Sequence, residues 1–442
     1  MSALATPPET KKDPARTMSK AAERRCEEVV SPAIYADPKA IDEAFEDLRA
    51  NDPLAWLEPN GFRPFWAVTK HADIMEISRL NRIFTNGQRE ILSPLDTENQ
   101  VYALTGGPHL VRSLVQMDDP DHYKYRHLTQ EWFLPHNVKK RQEAVRSIAK
   151  EFIDRMEDFG GECDFQNDIA LYYPLRVIMQ ILGVPVEDEP RMLKLTQEMF
   201  GAQDEDMSRD GEALARKDVA AGLAAMQSVV ADFFQYFTAM TQDRRANPRD
   251  DVSTVIANGQ IDGGPIGEFE AMSYYVIVAA AGHDTTSAST GGGLLGMLEN
   301  PAELKKMMED APSHSRTAVD EAIRWTTPVK HFMRTAQEDY ELRGKTVLAG
   351  ETLMLCYPSG NRDEEVFEDP FSFRIDRSPN KLVSFGYGGH MCLGMHLARM
   401  EMQALYEELF SRVKSIELAG EPSYIKANFV GGPKSIPVRY KF

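Results

Sequence analysis

One segment restricts the fold more than any other. Residues 268–298 carry apolar side chains on nearly every face of a helical pattern. A helix of this extent is about 45 Å long at 1.5 Å per residue, so it has to run through the interior of a sizeable protein. Its middle nevertheless contains a polar stretch, AGHDTTS (residues 281–287), where burial is expected. The segment therefore predicts a large helical core with a polar site built into it.

The rest of the chain also favours helices. Apolar residues recur at helical spacing in residues 152–156, 171–182, 221–241 and 318–325. Strand-like pieces are few and short, at residues 65–70, 353–357 and 436–442. Because strands and helices do not alternate regularly, we expect a mainly α fold with small peripheral β-sheets. We predict a flexible N-terminal tail over residues 1–26 and a single domain over residues 27–442.

Charge and hydropathy exclude several classes of function. The chain has 50 basic and 68 acidic residues, a net charge of −18, whereas a general nucleic-acid binder needs a positive surface. The longest apolar run near the middle, residues 274–282, is far shorter than the roughly 20 residues that a bilayer requires. The first residues lack the apolar region of a secretory signal. We expect a cytoplasmic protein that binds neither nucleic acid nor membrane.

A second feature, SFGYGGHMCLG (residues 384–394), places four glycines around Cys392 just before a helical pattern. Glycines allow positive φ and a close backbone approach to a flat ligand. The free N–H groups and the dipole at the start of a helix stabilise a thiolate. Such a cysteine suits a fifth ligand to the metal of a planar macrocycle. A nucleophilic cysteine with His390 as its base is the alternative, and the local sequence leaves both open.

Two other patterns have structural interpretations. Cys26, Cys163 and Cys356 are far apart and match no zinc-site spacing, so we expect small buried apolar residues. GGGLLG (residues 291–296) matches the dinucleotide motif formally, but no strand precedes it. It predicts close packing of the long helix against a neighbour.

The stretch FGYGGHMCLG matches the signature FGxGxHxCxG at its fixed positions, which are Phe385, Gly386, Gly388, His390, Cys392 and Gly394. Together with AGHDTTS and EAIR, it makes the sequence resemble the cytochrome P-450 family of haem-thiolate monooxygenases. The resemblance covers nearly the whole chain beyond the N-terminal tail. It implies the P-450 fold around a buried haem b (iron protoporphyrin IX), with Cys392 as the metal ligand. It also implies haem contacts from Phe385, Gly386, His390 and Gly394.

AGHDTTS resembles the family's oxygen-activating segment, which implies that Asp284 and Thr285 relay protons to dioxygen. The Thr285 hydroxyl can bond to the carbonyl of Ala281, four residues earlier, and open the helix locally. Gly282 removes side-chain bulk at the same place. The resemblance therefore predicts a groove for dioxygen opposite Cys392.

EAIR (residues 321–324) resembles the family's ExxR motif, which implies a buried structural ion pair between Glu321 and Arg324 behind the cysteine loop. A spacing of three places both side chains on one helix face. A third basic partner is either Arg374 or Arg377, and the sequence leaves that choice open. The resemblance also implies a set of side chains for the haem propionates: His122, Arg126, Arg334 and His390.

The finer similarity is to the bacterial subgroup that hydroxylates terpineol. It implies a compact apolar cyclic substrate, a monoterpenoid or an alkyl-substituted aromatic, hydroxylated with dioxygen and two electrons. The similarity implies pocket walls formed by Ile277, Ala280, Ala281, Val329, Phe429 and Val430. A haem-based sensor or carrier, a peroxygenase and a non-haem cysteine hydrolase remain as alternatives.

The chain contains no credible flavin or nicotinamide domain, so its electrons have to come from a partner. Resemblance to soluble bacterial members implies a [2Fe–2S] ferredoxin with an NAD(P)H-dependent ferredoxin reductase. Docking is expected on the face nearest Cys392. A local basic patch there is expected to consist of Lys139, Lys140, Arg141 and Arg399.

Overall fold

The computed structural model describes residues 16–216 and 218–442, which form a mainly helical protein with small sheets, as predicted. None of the helices in this described part is long and apolar enough to cross a membrane. The helices are α1 (Lys20–Val30), α2 (Pro38–Asn51), α3 (His71–Arg79), α4 (Leu95–Thr105), α5 (Asp121–Gln130), α6 (Pro135–Lys140), α7 (Gln142–Asp158), α8 (Tyr172–Leu182), α9 (Glu189–Phe200), α10 (Gly211–Ala215), α11 (Val219–Ala246), α12 (Val252–Ala257), α13 (Glu268–Ala281), α14 (Asp284–Glu299), α15 (Pro301–Glu309), α16 (Ala311–Thr326), α17 (Tyr357–Gly360) and α18 (Met395–Arg412).

The strands are short, and the largest sheet has five of them in the order β1-β2-β10-β7-β3. Helices α1 and α2 cover one face of this sheet and α3 packs on the other, which explains why β1 and β2 are buried throughout. The strands are β1 (Leu54–Leu57), β2 (Phe65–Val68), β3 (Phe84–Thr85), β4 (Glu162–Asp164), β5 (Gln260–Ile261), β6 (Gly264–Pro265), β7 (His331–Ala336), β8 (Tyr340–Leu342), β9 (Lys345–Val347), β10 (Thr352–Cys356), β11 (Ser415–Leu418), β12 (Ser423–Tyr424), β13 (Pro433–Ser435) and β14 (Pro437–Lys441).

The long interior helix is present as two helices, α13 and α14, with a break at residues 282–283. Helix α14 packs against α16 and α18 in the main helical core. The glycines of GGGLLG allow this close approach, because a Cβ at Gly293 would clash with the hydroxyl of Tyr406 and the Cβ of Ala322. The interpretation of that motif as a packing surface agrees with this contact.

Part of the predicted N-terminal tail is ordered against the rest of the protein. Helix α1 begins at Lys20, its side chains Ala22 and Cys26 are buried, and Arg16 forms a 2.9 Å ion pair with Glu351. The assignment of residues 16–26 to a flexible tail is therefore wrong, because an apolar face of α1 is needed to cover the five-stranded sheet. Residues 1–15 of the predicted tail lie outside the described residues.

The predicted pair of Glu321 and Arg324 is fully buried on α16, with N–O distances of 2.7 Å. The third partner is Arg377, whose Nε donates to the Glu321 carboxylate at 3.1 Å. Arg374 contributes only its backbone N–H to that carboxylate, while its side chain is half-exposed. Burial works to raise the pKa of Glu321, but the hydrogen bonds and charge of Arg324 outweigh it, so the pKa is lowered.

Arg377→Ala is expected to lower the free energy of unfolding by about 3 kcal/mol, because it leaves a buried carboxylate short of one cation. Arg374→Ala is the matched control and is expected to cost under about 1 kcal/mol, because its guanidinium is half-exposed. Urea unfolding followed by circular dichroism measures both. Equal losses in the two variants would contradict the assignment of Arg377 as the third partner.

Candidate active site

The glycine-rich loop holds Cys392 rigidly at the start of α18. The backbone N–H of Cys392 donates to the carbonyl of Phe385 at 2.8 Å, which closes the loop on itself. Gly386 and Gly388 have φ of +66° and +71°, in the left-handed region that favours glycine. A Cβ at Gly388 would clash with the carbonyl of Ser78 at the end of α3. The positive φ of the two glycines was predicted from the sequence, whereas the close packing of Gly388 against Ser78 was not.

Cys392 lies on the wall of an interior cavity of about 860 Å³. Burial raises the pKa of its thiol. That shift is opposed by the backbone N–H groups of Gly394 and Met395 and by the charges of Arg126 and Arg399. Cys26 and Cys356 are buried in the apolar core, and Cys163 is half-buried away from the cavity. Among the described cysteines, Cys392 alone therefore faces a space that can hold a ligand.

The break between α13 and α14 forms another wall of this cavity. The Thr285 hydroxyl donates to the carbonyl of Ala281 at 2.9 Å, as expected from the sequence. Ala281, Gly282 and Thr285 line the cavity, but Asp284 does not. The structure therefore brings Thr285 and Cys392 to the same space, and it turns the carboxylate of Asp284 away from that space.

Asp284 instead lies beside His283, which the sequence reasoning did not single out. The His283 ring is fully buried, and its Nδ1 is 3.3 Å from Oδ1 of Asp284. The other carboxylate oxygen of Asp284 is buried and has no hydrogen-bond partner among residues 16–216 and 218–442. The one sequence signal for His283 is its position inside the polar stretch AGHDTTS.

The four basic residues that were predicted together do converge on the cavity. The rings of His122 and His390 lie 4.0 Å apart, and Arg126 donates to the carbonyl of Met391 at 2.8 Å. Arg334 also lines the cavity and is buried. Burial lowers the pKa of His122 to about 4 and the pKa of His390 well below its usual range.

These basic groups fit an anionic ligand. None of the four forms an ion pair with a carboxylate in residues 16–216 and 218–442, and burial also lowers the pKa of Arg126 and Arg334. Desolvated cations without counter-charges are costly unless an anion binds beside them. At Gly394, two residues after Cys392, a Cβ would meet no atom of the described residues within 4 Å. The chain thus fits a flat group that carries acidic substituents and is bound through a sulfur ligand.

Most of the predicted pocket walls line this cavity. Ile277, Ala281, Val329, Phe429 and Val430 do so, but Ala280 is fully buried elsewhere, so its prediction was wrong. Consecutive residues on a helix point about 100° apart, and the side chain of Ala281 takes the cavity side. Lys330 and His331 do not line the cavity either, and the His331 ring binds the carbonyl of Asn428.

Sequence reasoning missed several further walls. Helices α9 and α11 with the loop before α5 add apolar side chains from Leu114, Met199, Phe200, Met226 and Val229. Nothing in the sequence distinguishes these from ordinary core residues. It also missed Glu401 on α18, which lines the cavity and whose pKa burial raises well above its usual range.

A helical body, a cavity with one cysteine on its wall and a broken helix that carries a threonine define a haem-thiolate oxygenase. Residues 88–427 match the family model for cytochrome P450. The chain belongs to the cytochrome P450 family of monooxygenases, whose members bind haem b through a cysteine thiolate. The predicted family, fold class and cofactor are thereby confirmed.

Individual relatives agree with this assignment. The chain is 46% identical to cytochrome P450-terp of Pseudomonas sp over 93% of its own length and 96% of that protein's length. It is 30% identical to a methyl-branched lipid omega-hydroxylase of Mycobacterium tuberculosis, over 91% of this chain and 92% of the relative.

Two solved structures share the fold. The crystal structure of CYP108D1 from Novosphingobium aromaticivorans has a TM-score of 0.86 and 44% identity, over 95% of this chain and 98% of that chain. Mycobacterium marinum CYP268A2, solved in complex with pseudoionone, also has a TM-score of 0.86. It is 29% identical, over 97% of this chain and 100% of the other.

Proposed function

We propose that this P450 hydroxylates a compact apolar cyclic substrate, a monoterpenoid or an alkyl-substituted aromatic, with dioxygen and two electrons. The observation that carries the proposal is the cavity that Cys392 and Thr285 share with the apolar side chains of Ile277, Val329 and Phe429. The 46% identity to a protein called cytochrome P450-terp supports the terpenoid class. The substrate-facing walls are Ile277, Ala281, Val329, Phe429 and Val430.

The haem-binding roles follow from charge and position. The Cys392 sulfur would bind the haem iron, and Phe385, Gly386 and Gly394 shape the loop around it. The haem propionates are proposed to bind His122, Arg126, Arg334 and His390, which are desolvated cations or donors with no carboxylate partner among the described residues. When bound, haem b supplies the redox-active iron at which dioxygen is reduced and the substrate is oxidised.

Thr285 and Asp284 are the proposed proton relay. The Thr285 hydroxyl lines the cavity, so it can pass a proton to reduced dioxygen there. Thr285 lies four residues after Ala281. The carbonyl of Ala281 accepts the hydrogen bond of the Thr285 hydroxyl and holds this hydroxyl at the break between α13 and α14. Because the carboxylate of Asp284 is turned away from the cavity, Asp284 has to rotate or act through water to resupply Thr285.

Thr285→Ala is expected to divert electrons from product to hydrogen peroxide and to lower product per NAD(P)H by roughly tenfold or more, since proton delivery by a positioned group is worth 10²–10⁴ in rate. Product and peroxide are measured together with reductant consumption. Thr286→Ala, one residue further along α14, is the control. Undiminished coupling in Thr285→Ala would reject the relay and favour a peroxygenase or a haem carrier.

The substrate class is tested by spectral titration of the purified protein with cyclic monoterpenoids, alkylbenzenes and fatty acids. We expect cyclic terpenes and alkylbenzenes to cause the low-spin to high-spin shift at lower concentrations than fatty acids of similar carbon number. The physical reason is that the five proposed walls are apolar and present no charge to a carboxylate. A preference for fatty acids would contradict the proposed substrate class.

The proposed electron donor is a [2Fe–2S] ferredoxin with an NAD(P)H-dependent reductase, and this electron supply implies a cytoplasmic location. Helix α6, which carries the exposed Lys139 and Lys140, packs against α18, the helix that follows Cys392. Arg141 is already paired with Asp250 and Arg399 with Asp320. The proposed docking patch is therefore reduced to the two lysines.

Reversing both charges with Lys139→Glu and Lys140→Glu is expected to raise the ferredoxin concentration needed for half-maximal reduction several-fold at low salt. The effect should shrink as salt screens the surface charges. The double variant Lys20→Glu and Lys39→Glu, at exposed positions of α1 and α2, serves as the control for the change in net charge. Stopped-flow reduction rates that match those of the control at every salt concentration would exclude the patch.

A further inference from the structure

One part of the cavity wall is assembled from three separate chain segments. Leu92 lies in the segment before α4, Phe332 lies on β7, and Phe429 lies in the loop between β12 and β13. All three line the cavity, and the ring centroids of Phe332 and Phe429 are 5.5 Å apart. The shape of this wall therefore depends on how the segment before α4 and the loop before β13 are held against β7.

The ring of His331, the first residue of β7, is hydrogen-bonded to both of the other segments. Its Nδ1 is 2.9 Å from the carbonyl oxygen of Asn428, and its Nε2 is 2.9 Å from the backbone nitrogen of Leu92. The ring also packs against Phe429, with centroids 5.6 Å apart. His331 is fully buried and does not line the cavity, so it can affect a bound substrate only through these neighbours.

The two partners of the His331 ring fix its tautomer. A carbonyl oxygen only accepts hydrogen bonds and a backbone N–H only donates, so the hydrogen lies on Nδ1 and the lone pair of Nε2 faces Leu92. Burial lowers the pKa of His331 to about 4, so the ring is neutral at pH 7. The neutral imidazole thus satisfies one backbone carbonyl and one backbone N–H, on two different segments, at the same time.

Backbone hydrogen bonds also hold the same two segments beside β7. The N–H of Lys330 donates to the carbonyl of Phe429 at 2.8 Å, and the N–H of Met333 donates to the carbonyl of Glu90 at 2.8 Å. These bonds do not involve the histidine ring, so they remain when the ring is replaced. Loss of the ring's hydrogen bonds is therefore expected to shift the two segments and not to release them.

We propose that His331 is a positioning residue for the substrate: by bonding to Leu92 and Asn428 it sets the relative positions of the Leu92 and Phe429 side chains at the cavity wall. A cyclic substrate packed against these side chains presents one of its carbons for hydroxylation, so His331 contributes to the choice of that carbon. The inference rests on the proposed function and adds a residue that determines its selectivity without touching the substrate.

Two variants separate the two hydrogen bonds of the ring. The amide of asparagine stands at about the place of Nδ1, and the amide of glutamine at about the place of Nε2. His331→Asn is therefore expected to keep the donor for the Asn428 carbonyl and to lose the acceptor for Leu92, whereas His331→Gln keeps the acceptor and loses the donor. Each variant leaves one buried backbone group without its partner, which favours a shift of that segment.

Product ratios report such a shift. For cyclic monoterpenoids and alkylbenzenes that the wild-type protein hydroxylates, we expect each variant to change the ratio of product isomers by roughly threefold or more. The physical reason is that an apolar pocket distinguishes one methylene group by roughly tenfold or more, and a moved wall alters that fit. The carbon-monoxide difference spectrum should keep its thiolate-type band in both variants, because Cys392 is unchanged.

His71→Asn is the matched control, because His71 is also buried and bonded to a backbone carbonyl, that of Lys381 at 2.8 Å, but does not line the cavity. It is expected to leave the product ratio unchanged. Leu92→Ala and Phe429→Ala alter the two walls with His331 in place, and they take over the test if the histidine variants fail to fold. Wild-type product ratios in both histidine variants, or in both wall variants, would overturn the proposal.

Spectral titration keeps this inference distinct from the proposed function. For any two ligands that shift the spin state of the wild-type protein, the ratio of their dissociation constants should change by roughly threefold or more in His331→Asn or His331→Gln. A wild-type preference for fatty acids would contradict the proposed substrate class, and the ratio for two fatty acids would still test His331. If the wild-type protein hydroxylates cyclic substrates and both variants keep its product and affinity ratios, only the role of His331 fails.

Discussion

The buried contact of Glu321 with Arg324 and Arg377 fixes the segment on which the active site is built. Arg324 also donates to the carbonyls of Asn361 and Pro370, at 2.8 and 2.9 Å, so α16 is bonded to the chain that leads to the cysteine loop. Asn361 continues the chain of bonds, because its side chain binds the N–H of Val383 at 2.8 Å. The position of Cys392 therefore depends on charges that are fully desolvated and satisfied only in one arrangement.

The cavity is a consequence of two local deviations from regular structure that meet in space. At one wall, left-handed glycines turn the backbone so that Cys392 faces inward at the start of α18. At another, Thr285 bonds to Ala281 and the interior helix is interrupted. Around both, the desolvated basic side chains have no carboxylate partner in the part of the chain that the structure describes. This is unfavourable in the free protein and favourable once an anionic cofactor binds.

The parts of the site that depend on local chain geometry could be predicted from the sequence. The glycine turn around Cys392, the hydrogen bond of Thr285 and the pairing of residues three apart on α16 all follow from near neighbours. The choice of Arg377 over Arg374 could not be predicted, because both are basic and only the tertiary path of the chain brings one guanidinium to Glu321.

Features that depend on how distant elements pack were missed or assigned wrongly. Ala280 and Ala281 are equivalent by composition, and only the rotation of α13 decides which one faces the cavity. Asp284 lies beside His283, whose ring contacts Leu171 and Thr196, more than 80 residues earlier in the chain. The N-terminal helix was read as part of a tail because its apolar face has no visible partner until the five-stranded sheet is built.

The role of Cys392 is tested most directly by the carbon-monoxide difference spectrum of the reduced protein. We expect the wild-type protein and Cys163→Ser to show the red-shifted Soret band of thiolate-ligated haem. Cys392→His should lose that band and show the band of imidazole-ligated haem, because the sulfur has been replaced as the axial ligand. A thiolate-type band that persists in Cys392→His would contradict the account.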